Sequence, residues 1–115
     1  MPVEWSENTV VAHLADEPAF SDEVEEVQRG LESDPQHCVL DLSAVSFLNS
    51  SNLAQLVGLR KTISPSGCQI LLCGVQPPVW ETLTVSRLDR LFRRAENVPL
   101  ALAALQIEAS DAPGE

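Results

Sequence analysis

Two short, almost uninterrupted apolar runs constrain the fold of this 115-residue chain more than any other feature. They cover residues 38–42 and 69–73, and continuous runs of this length suit strands that are covered on both faces. Between them, apolar residues recur at helical spacing, and these are Leu53, Leu56, Val57 and Ile63. The Pro- and Gly-containing segment 64–67 ends that helix. Strand, helix and strand form a βαβ unit, which predicts two parallel strands.

The residues before this unit predict a hairpin and a helix. Apolar residues alternate with polar ones on either side of a polar break, at Val3 and Trp5 and then at Val10, Ala12 and Leu14. A helix of about 12–15 residues opens near Pro18 and Ser21 and stops at Asp34-Pro35. Its apolar stripe consists of Phe20, Val24, Val27 and Leu31.

Three more elements are expected after residue 74. Pro77-Pro78 opens a short helix, a short edge strand follows the apolar patch at 88–92, and Asn97 caps a last helix. The residues expected on the inner side of that helix are Leu100, Ala103, Ala104 and Ile107. We therefore expect residues 1–108 to form one α/β domain with an N-terminal hairpin, a mixed, mostly parallel sheet and about four α-helices. Residues 109–115 are expected to be a flexible tail.

Charge and hydropathy argue against nucleic-acid binding and against membrane insertion. Seven basic and seventeen acidic residues give a formal net charge of −10, whereas nucleic-acid binding needs a positive surface. No apolar run approaches the roughly 20 residues of a membrane span, and no basic-then-apolar leader opens the sequence. We expect a soluble, cytoplasmic protein without a nucleic-acid partner and without membrane insertion.

The charges are also unevenly distributed. Residues 1–35 contain ten acidic residues and one base, Arg29, whereas residues 87–94 contain four arginines and one acid, Asp89. The simpler interpretation is that the two segments are solvated faces that attract each other in the fold. The alternative is a charged docking surface that steers a partner.

Residues that could support catalysis or metal binding form no recognisable pattern. Cys38, Cys68 and Cys73 lack C-x-x-C spacing and lie in or beside apolar segments, so we interpret them as small buried thiols. His13, in an expected edge strand, and His37, near a turn, are interpreted as ordinary strand or surface residues. The sequence contains neither a P-loop nor a G-x-S-x-G motif. We expect no enzymatic activity, no cofactor and no metal.

The most informative segment, residues 39–53, runs from a strand into the start of a helix. Ser50 and Ser51 fall in the first turn, where backbone N–H groups lack helical partners and the helix dipole is positive. A phosphoryl group there would meet ready donors and would add a charge of about −1.5 to −2. Asn49 and the serines are also common helix-capping residues, so a purely structural role is the alternative.

This segment resembles the STAS domain family, named for sulphate transporters and anti-sigma-factor antagonists. The family pattern is V-x-x-D-L-S-x-V-x-F-[IL]-D-S-S-G-L, and the matching residues are Val39, Asp41-Leu42-Ser43, Val45, Phe47-Leu48, Ser50-Ser51 and Leu53. Residues 66–75 and Leu88-Asp89-Arg90-Leu91-Phe92 are also similar to the family. The resemblance covers residues 38–105 well and the N-terminal third in layout only, and it implies the fold described above.

The resemblance also implies a function. In anti-sigma-factor antagonists of this family the second serine of D-S-S-G is phosphorylated, which places that role on Ser51, with Ser50 as second choice. The implied partners are an anti-sigma factor that is also a serine kinase of the histidine-kinase-like ATPase type, and a PP2C-type phosphatase. The implied partner-binding residues are Asn49, Ser50, Ser51, Asn52, Leu53 and Leu56. Phosphorylation would release the partner, so the implied function is partner switching in transcription regulation.

Two positions depart from the family pattern, because Asn49 stands in place of Asp and Asn52 in place of Gly. Asn49 keeps an N-cap oxygen but removes a charge beside the serines. Asn52 adds a side chain where a partner's backbone would approach. A domain that no kinase recognises could carry such changes. The alternative function is therefore a non-phosphorylated STAS subunit of a lipid ABC-type transporter or of a stress-signalling scaffold.

Overall fold

The computed structural model describes residues 3–110, with side chains as far as residue 106. Its strands are β1 (Val3–Trp5), β2 (Thr9–Ala15), β3 (His37–Ala44), β4 (Ile70–Cys73) and β5 (Arg93–Ala95). They form one sheet in the order β1-β2-β3-β4-β5. β1 pairs with β2 antiparallel, and every other neighbouring pair is parallel. The predicted hairpin, the parallel βαβ pair and the edge strand after residue 92 are confirmed.

Four α-helices connect or follow these strands in the described residues. They are α1 (Ala19–Ser33), α2 (Ser50–Ile63), α3 (Pro77–Val85) and α4 (Val98–Ser110), with short 3₁₀ segments at Ser64–Ser66 and Leu88–Leu91. The predicted α/β class is confirmed. Helix α4 continues two residues past the expected boundary at 108, and residues 111–115 lie outside the described part. None of the described helices has the length and apolar character needed to cross a membrane.

The sheet has helices on both faces. One core cluster joins Leu40 and Leu72 of the central strands to the buried stripes of α1, α2 and α3. A smaller cluster joins Val39 and Leu71 to Ala101 of α4 on the other face. Because side chains alternate along a strand, the apolar residues of these central segments are divided between the two layers. This is why the sequence runs are apolar at almost every position.

The inner side of α4 differs from the predicted one. Leu100 and Ala103 are exposed, Ala104 is half-buried, and the side chain of Ile107 lies outside the described part. The helix is apolar around most of its circumference, so the spacing of apolar residues did not single out one face. Of the α4 side chains as far as residue 106, Ala101 and Leu105 are buried.

The indole of Trp5 lies across α1 at Gly30. A Cβ atom placed on Gly30 would overlap the far edge of that ring, so glycine lets the indole lie this close to the helix. Gly58 in α2 offers a comparison, since the nearest atom to a Cβ there is Gln28 Oε1 at 4.0 Å.

We expect Gly30→Ala to lower the free energy of unfolding by about 1–2 kcal/mol because the new methyl group displaces the indole. The control is Gly58→Ala, which should leave stability unchanged or raise it by up to about 1 kcal/mol, since alanine is the better helix former. Urea unfolding followed by circular dichroism measures both. Equal stability of the two variants would show that Trp5 contributes no packing at Gly30.

Candidate functional site

The candidate site is built on the loop between β3 and α2, at the edge of the sheet where the parallel strands end. Ser46 donates its backbone N–H and its hydroxyl to the two carboxylate oxygens of Asp16, at 2.9 and 2.7 Å. On the other side, Gln76 Nε2 donates to the carbonyl oxygens of Ser43 and Val45, at 3.0 and 2.9 Å. The loops after β2 and β4 therefore hold this loop in place from both sides.

The hydrogen bonds from Ser46 also affect the charge of Asp16. They hold the pKa of this carboxyl below its ordinary value of 3.8, so it is ionised at neutral pH. A fixed negative charge thus lies directly beside the loop that leads to the serines.

Helix α2 begins with a reciprocal cap formed by Asn49 and Asn52. Asn49 Oδ1 accepts the backbone N–H of Asn52 at 2.8 Å, and Asn52 Oδ1 accepts the backbone N–H of Asn49 at 3.0 Å. This is the capping box arrangement, built here from two asparagines. The two departures from the family pattern are therefore the two halves of one structural feature.

The cap extends through the buried Asn52 side chain into a hydrogen-bond network at the surface that reaches α1. Asn52 is only 2% exposed, and its Nδ2 donates to Glu17 Oε2 at 2.9 Å and to Gln55 Oε1 at 3.3 Å. Glu17 also accepts the N–H and the hydroxyl of Ser21, at 2.9 and 2.6 Å. The bonds from Ser21, followed by the bond from Asn52, keep the pKa of Glu17 below its ordinary value of 4.5. The start of α2 is thereby attached to the first turn of α1.

Ser50 and Ser51 follow the N-cap directly, and both side chains are exposed. The cap uses the N–H of Asn49 and of Asn52, and the N–H of Leu53 donates to the Asn49 carbonyl at 3.0 Å. Among the described residues, no acceptor binds the backbone N–H groups of the two serines. The unused donors at this positive helix end are therefore those of Ser50 and Ser51.

The six predicted partner-binding residues do not all lie at the surface. Asn49 and the serines are exposed and Leu53 is half-buried. Asn52 and Leu56 are buried, because they are four residues apart and lie on the inner stripe of α2 with Leu59 and Ile63. The surface of the isolated domain is therefore formed by the other four residues, and partner binding by the set stays a prediction.

Phe47 is a surface residue of this loop that sequence reasoning missed. Its side chain is 66% exposed, although the next residue, Leu48, is buried. An apolar residue in a motif is ordinarily assigned to the core, and no sequence pattern indicates which of Phe47 and Leu48 points outward. The ring adds an exposed apolar side chain to the surface three residues before the serines.

The histidines have structural contacts. His13 lies in β2, which is flanked by β1 and β3, so the expected edge position is corrected. Its Nδ1 lies 2.8 Å from Asp41 Oδ2 and its Nε2 3.4 Å from Glu4 Oε2. Burial raises the pKa of Asp41, but hydrogen bonds from Ser43 and His13 outweigh burial and leave this pKa below 3.8. His37 Nδ1 accepts the backbone N–H of Gln69 at 3.0 Å.

The cysteines are free thiols. Cys38 and Cys73 are buried, as predicted, and burial raises the pKa of Cys38 to about 12 and that of Cys73 to about 11. Cys68 is half-buried rather than buried. In the part of the chain that the structure describes, no three His, Cys, Asp or Glu side chains come together as a metal site.

Comparison with known proteins shows the family. The family model described as the STAS domain matches residues 12–101, and the chain belongs to this family. An anti-sigma F factor antagonist from Paenibacillus polymyxa is 33% identical over 72 residues, which are 63% of this chain and 62% of that relative. The chain thus matches less than two thirds of the relative's length.

Solved structures show the same fold. An anti-sigma-factor antagonist (STAS) domain protein from Planctomyces limnophilus superposes with a TM-score of 0.79 at 23% identity, covering 90% of this chain and 96% of that one. The phosphorylated form of the Bacillus cell fate determinant SpoIIAA superposes with a TM-score of 0.71 at 17% identity, again covering 90% and 96%. The predicted family and its single-domain architecture are confirmed.

We expect Asn49→Ala and Asn52→Ala each to lower the free energy of unfolding by about 0.5–2 kcal/mol, because each removes one half of the cap. The double variant should lose less than the sum of the single losses, by about 0.5 kcal/mol or more, since the first substitution already breaks the reciprocal pair. Ser50→Ala, at an exposed neighbour, is the control. Strict additivity in urea unfolding would mean that the two side chains act independently.

Acid should weaken the connection between α1 and α2. Because the pKa of Glu17 is lowered on folding, its contribution to stability is fully present above its ordinary value of 4.5 and is lost as the pH falls through the folded value. Glu17→Gln should therefore be less stable than wild type at pH 7, with a difference that shrinks toward pH 3. Glu26→Gln, on the exposed side of α1, is the control. Parallel unfolding curves for wild type and Glu17→Gln at all pH values would contradict this expectation.

Proposed function

We propose that this STAS domain is a regulatory binding protein, an anti-sigma-factor antagonist that changes partner when Ser51 is phosphorylated. The observation that carries the proposal is the start of α2, where two exposed serines carry the backbone N–H groups that the cap leaves unused. Family membership and the name of the Paenibacillus polymyxa relative support the same function.

The start of α2 can accept a phosphate without unfolding. A phosphate on Ser51 lies at the positive end of the helix, within reach of the N–H groups of Ser50 and Ser51. The reciprocal cap and the bond to Glu17 are already complete without these donors. The modified domain therefore keeps its fold, and the change is in what its surface binds.

The phosphate changes the charge of the exposed surface. It adds about −1.5 to −2 charges next to Asp16 and Glu17, two carboxylates with lowered pKa values. A partner that buries Phe47 and the serine hydroxyls would have to desolvate this charge, and an acidic partner would also be repelled. Phosphorylation thus releases the partner, and the species that switches is the complex.

The proposed partners are proteins. One is an anti-sigma factor that is also a serine kinase of the histidine-kinase-like ATPase type, and another is a PP2C-type phosphatase that removes the phosphate. The domain itself is a substrate of these enzymes and performs no catalysis. It acts in the cytoplasm, in transcription regulation. Ser51 is preferred to Ser50 because it takes the place of the second serine in the family pattern.

A second function is favoured by the cap itself. The side chains of Asn49 and Asn52 stabilise the start of α2 by capping it. Asn49 also lacks the carboxylate that the family pattern would present to a kinase. A STAS subunit that is never phosphorylated, in a lipid ABC-type transporter or a stress-signalling scaffold, would need only such a stable helix start.

Ser51→Asp is expected to lose the partner, and Ser51→Ala to retain it. Tagged full-length chains are used to capture proteins from the native host, which are identified by mass spectrometry, and affinities are then measured with the purified partner. We expect Ser51→Asp to bind about tenfold more weakly or worse, because one charge is forced against the interface. Ser66→Asp, at an exposed residue in the 3₁₀ segment that follows α2, is the control and binds like wild type.

The captured proteins and the Ser51 variants also distinguish partner switching from the second function. A captured ATPase of the kinase type that phosphorylates the wild-type chain on Ser51 but not the Ser51→Ala variant supports partner switching. If Ser51→Asp and wild type bind one transporter ATPase or scaffold protein equally well, the domain is a constitutive subunit and the serines only begin the helix.

A further inference from the structure

Three titratable side chains meet on the face of the sheet that also carries α4. Glu4 of β1 lies opposite Val11 of β2, and His13 lies opposite Asp41 of β3. Val11 packs with the α4 cluster, and residues two apart on a strand share a face. Glu4, His13 and Asp41 are therefore on the side of the sheet away from α2 and the serines. We call them the His13 cluster.

Asp41 fixes the state of the imidazole ring. Its Oδ2 is 2.8 Å from His13 Nδ1, and its lowered pKa leaves the carboxyl ionised at neutral pH. An ionised carboxylate only accepts hydrogen bonds, so the proton of a neutral imidazole is on Nδ1. The other nitrogen, Nε2, then has a free electron pair, and Glu4 Oε2 is 3.4 Å from it.

Two electron-pair donors, His13 Nε2 and Glu4 Oε2, are thus neighbours. Such atoms repel each other unless a cation lies between them, either a proton on the ring or a metal ion. Their separation of 3.4 Å exceeds the roughly 2.7–3.2 Å of an ordinary N–H···O hydrogen bond. Two ligands of one tetrahedral zinc ion, each bonded at about 2.0–2.2 Å, are roughly 3.4 Å apart. The spacing suits a metal ion better than a shared proton.

The surroundings of the His13 cluster leave room for a cation from solvent. The side chains of His13 and Glu4 are 42% and 65% exposed. Among the described residues, no Lys or Arg side chain forms an ion pair with any member of the cluster. Arg29, the one base in residues 1–35, pairs within α1. The negative charge of Glu4 and Asp41 is therefore not balanced by a basic side chain of this part of the chain.

We infer that Glu4 Oε2 and His13 Nε2 bind a divalent transition-metal ion of the zinc class. Imidazole and carboxylate together suit Zn²⁺, whereas Mg²⁺ and Ca²⁺ prefer oxygen ligands alone. Asp41 stays outside the coordination shell and orients the ring, as carboxylates do behind many metal-binding histidines. With two protein ligands the ion is held weakly, connects β1 to β2 and keeps open positions for water. The site does not depend on the proposed partner switch.

The test is an NMR titration of the full chain, without a histidine tag, with Zn²⁺ at constant pH in a buffer that does not bind metals. We expect saturable shifts of the His13 ring, with Nε2 as the nitrogen affected. His37 is the internal control, because its Nδ1 accepts the Gln69 N–H and its Nε2 therefore carries the proton of the neutral ring. Mg²⁺ at the same concentration should leave the His13 ring unchanged.

Two matched variants decide whether Glu4 is a ligand. Glu4→Gln should weaken Zn²⁺ binding about tenfold or more, since even the loss of an outer-shell partner costs about 10–100-fold in metal affinity. Glu7→Gln removes the same charge from an exposed residue in the turn of the same hairpin and should change affinity less than about twofold, because charges at a distance are screened. A His13 ring that responds to pH but not to Zn²⁺ would identify a proton between the two atoms and overturn the inference. So would an equal response to Mg²⁺ or equal weakening by the two variants.

Discussion

The reciprocal hydrogen bonds between Asn49 and Asn52 set the point at which α2 begins, and the geometry of the whole site depends on that point. A helix start one residue earlier or later would rotate every following side chain by about 100°. With the cap in place, Asn52 faces inward onto Glu17 while the serine hydroxyls face solvent. The exposure of the serines is therefore a consequence of the burial of their neighbour.

The same contact changes the meaning of the two departures from the family pattern. Taken separately, Asn49 removes a charge and Asn52 adds an obstacle to a partner. In the structure, the side chain of Asn52 points away from the surface and completes the cap that Asn49 begins. The two asparagines form one cap together. The helix start is therefore ordered although its sequence departs from the family pattern at two positions. Both proposed functions use this rigidity, one to present a phosphate and the other to present a fixed docking surface.

The sequence predicted the architecture because its strands and helices carry unambiguous patterns. The runs at 38–42 and 69–73 are apolar on both faces of a sheet that is covered twice, and the stripe of α1 is buried as expected. Prediction failed where the pattern is uniform or the partner is distant in sequence. Helix α4 is apolar around most of its circumference, so the spacing of its apolar residues did not select Ala101 and Leu105. The contact of Asn52 with Glu17 joins residues 35 positions apart, and no local rule anticipates it.

Strand β5 also affects how the molecule behaves at high concentration. It is a three-residue strand at the end of the sheet, paired with β4 alone among the described residues, and two of its residues are Arg93 and Arg94. Arg94 lies over the Trp80 ring, 4.2 Å from its centroid, so its charge is held close to the strand. Short length and charged side chains are two features by which an edge strand disfavours pairing with the sheet of a second copy. A short, cationic edge thus protects an otherwise strongly acidic protein from growing its sheet into that of a neighbour.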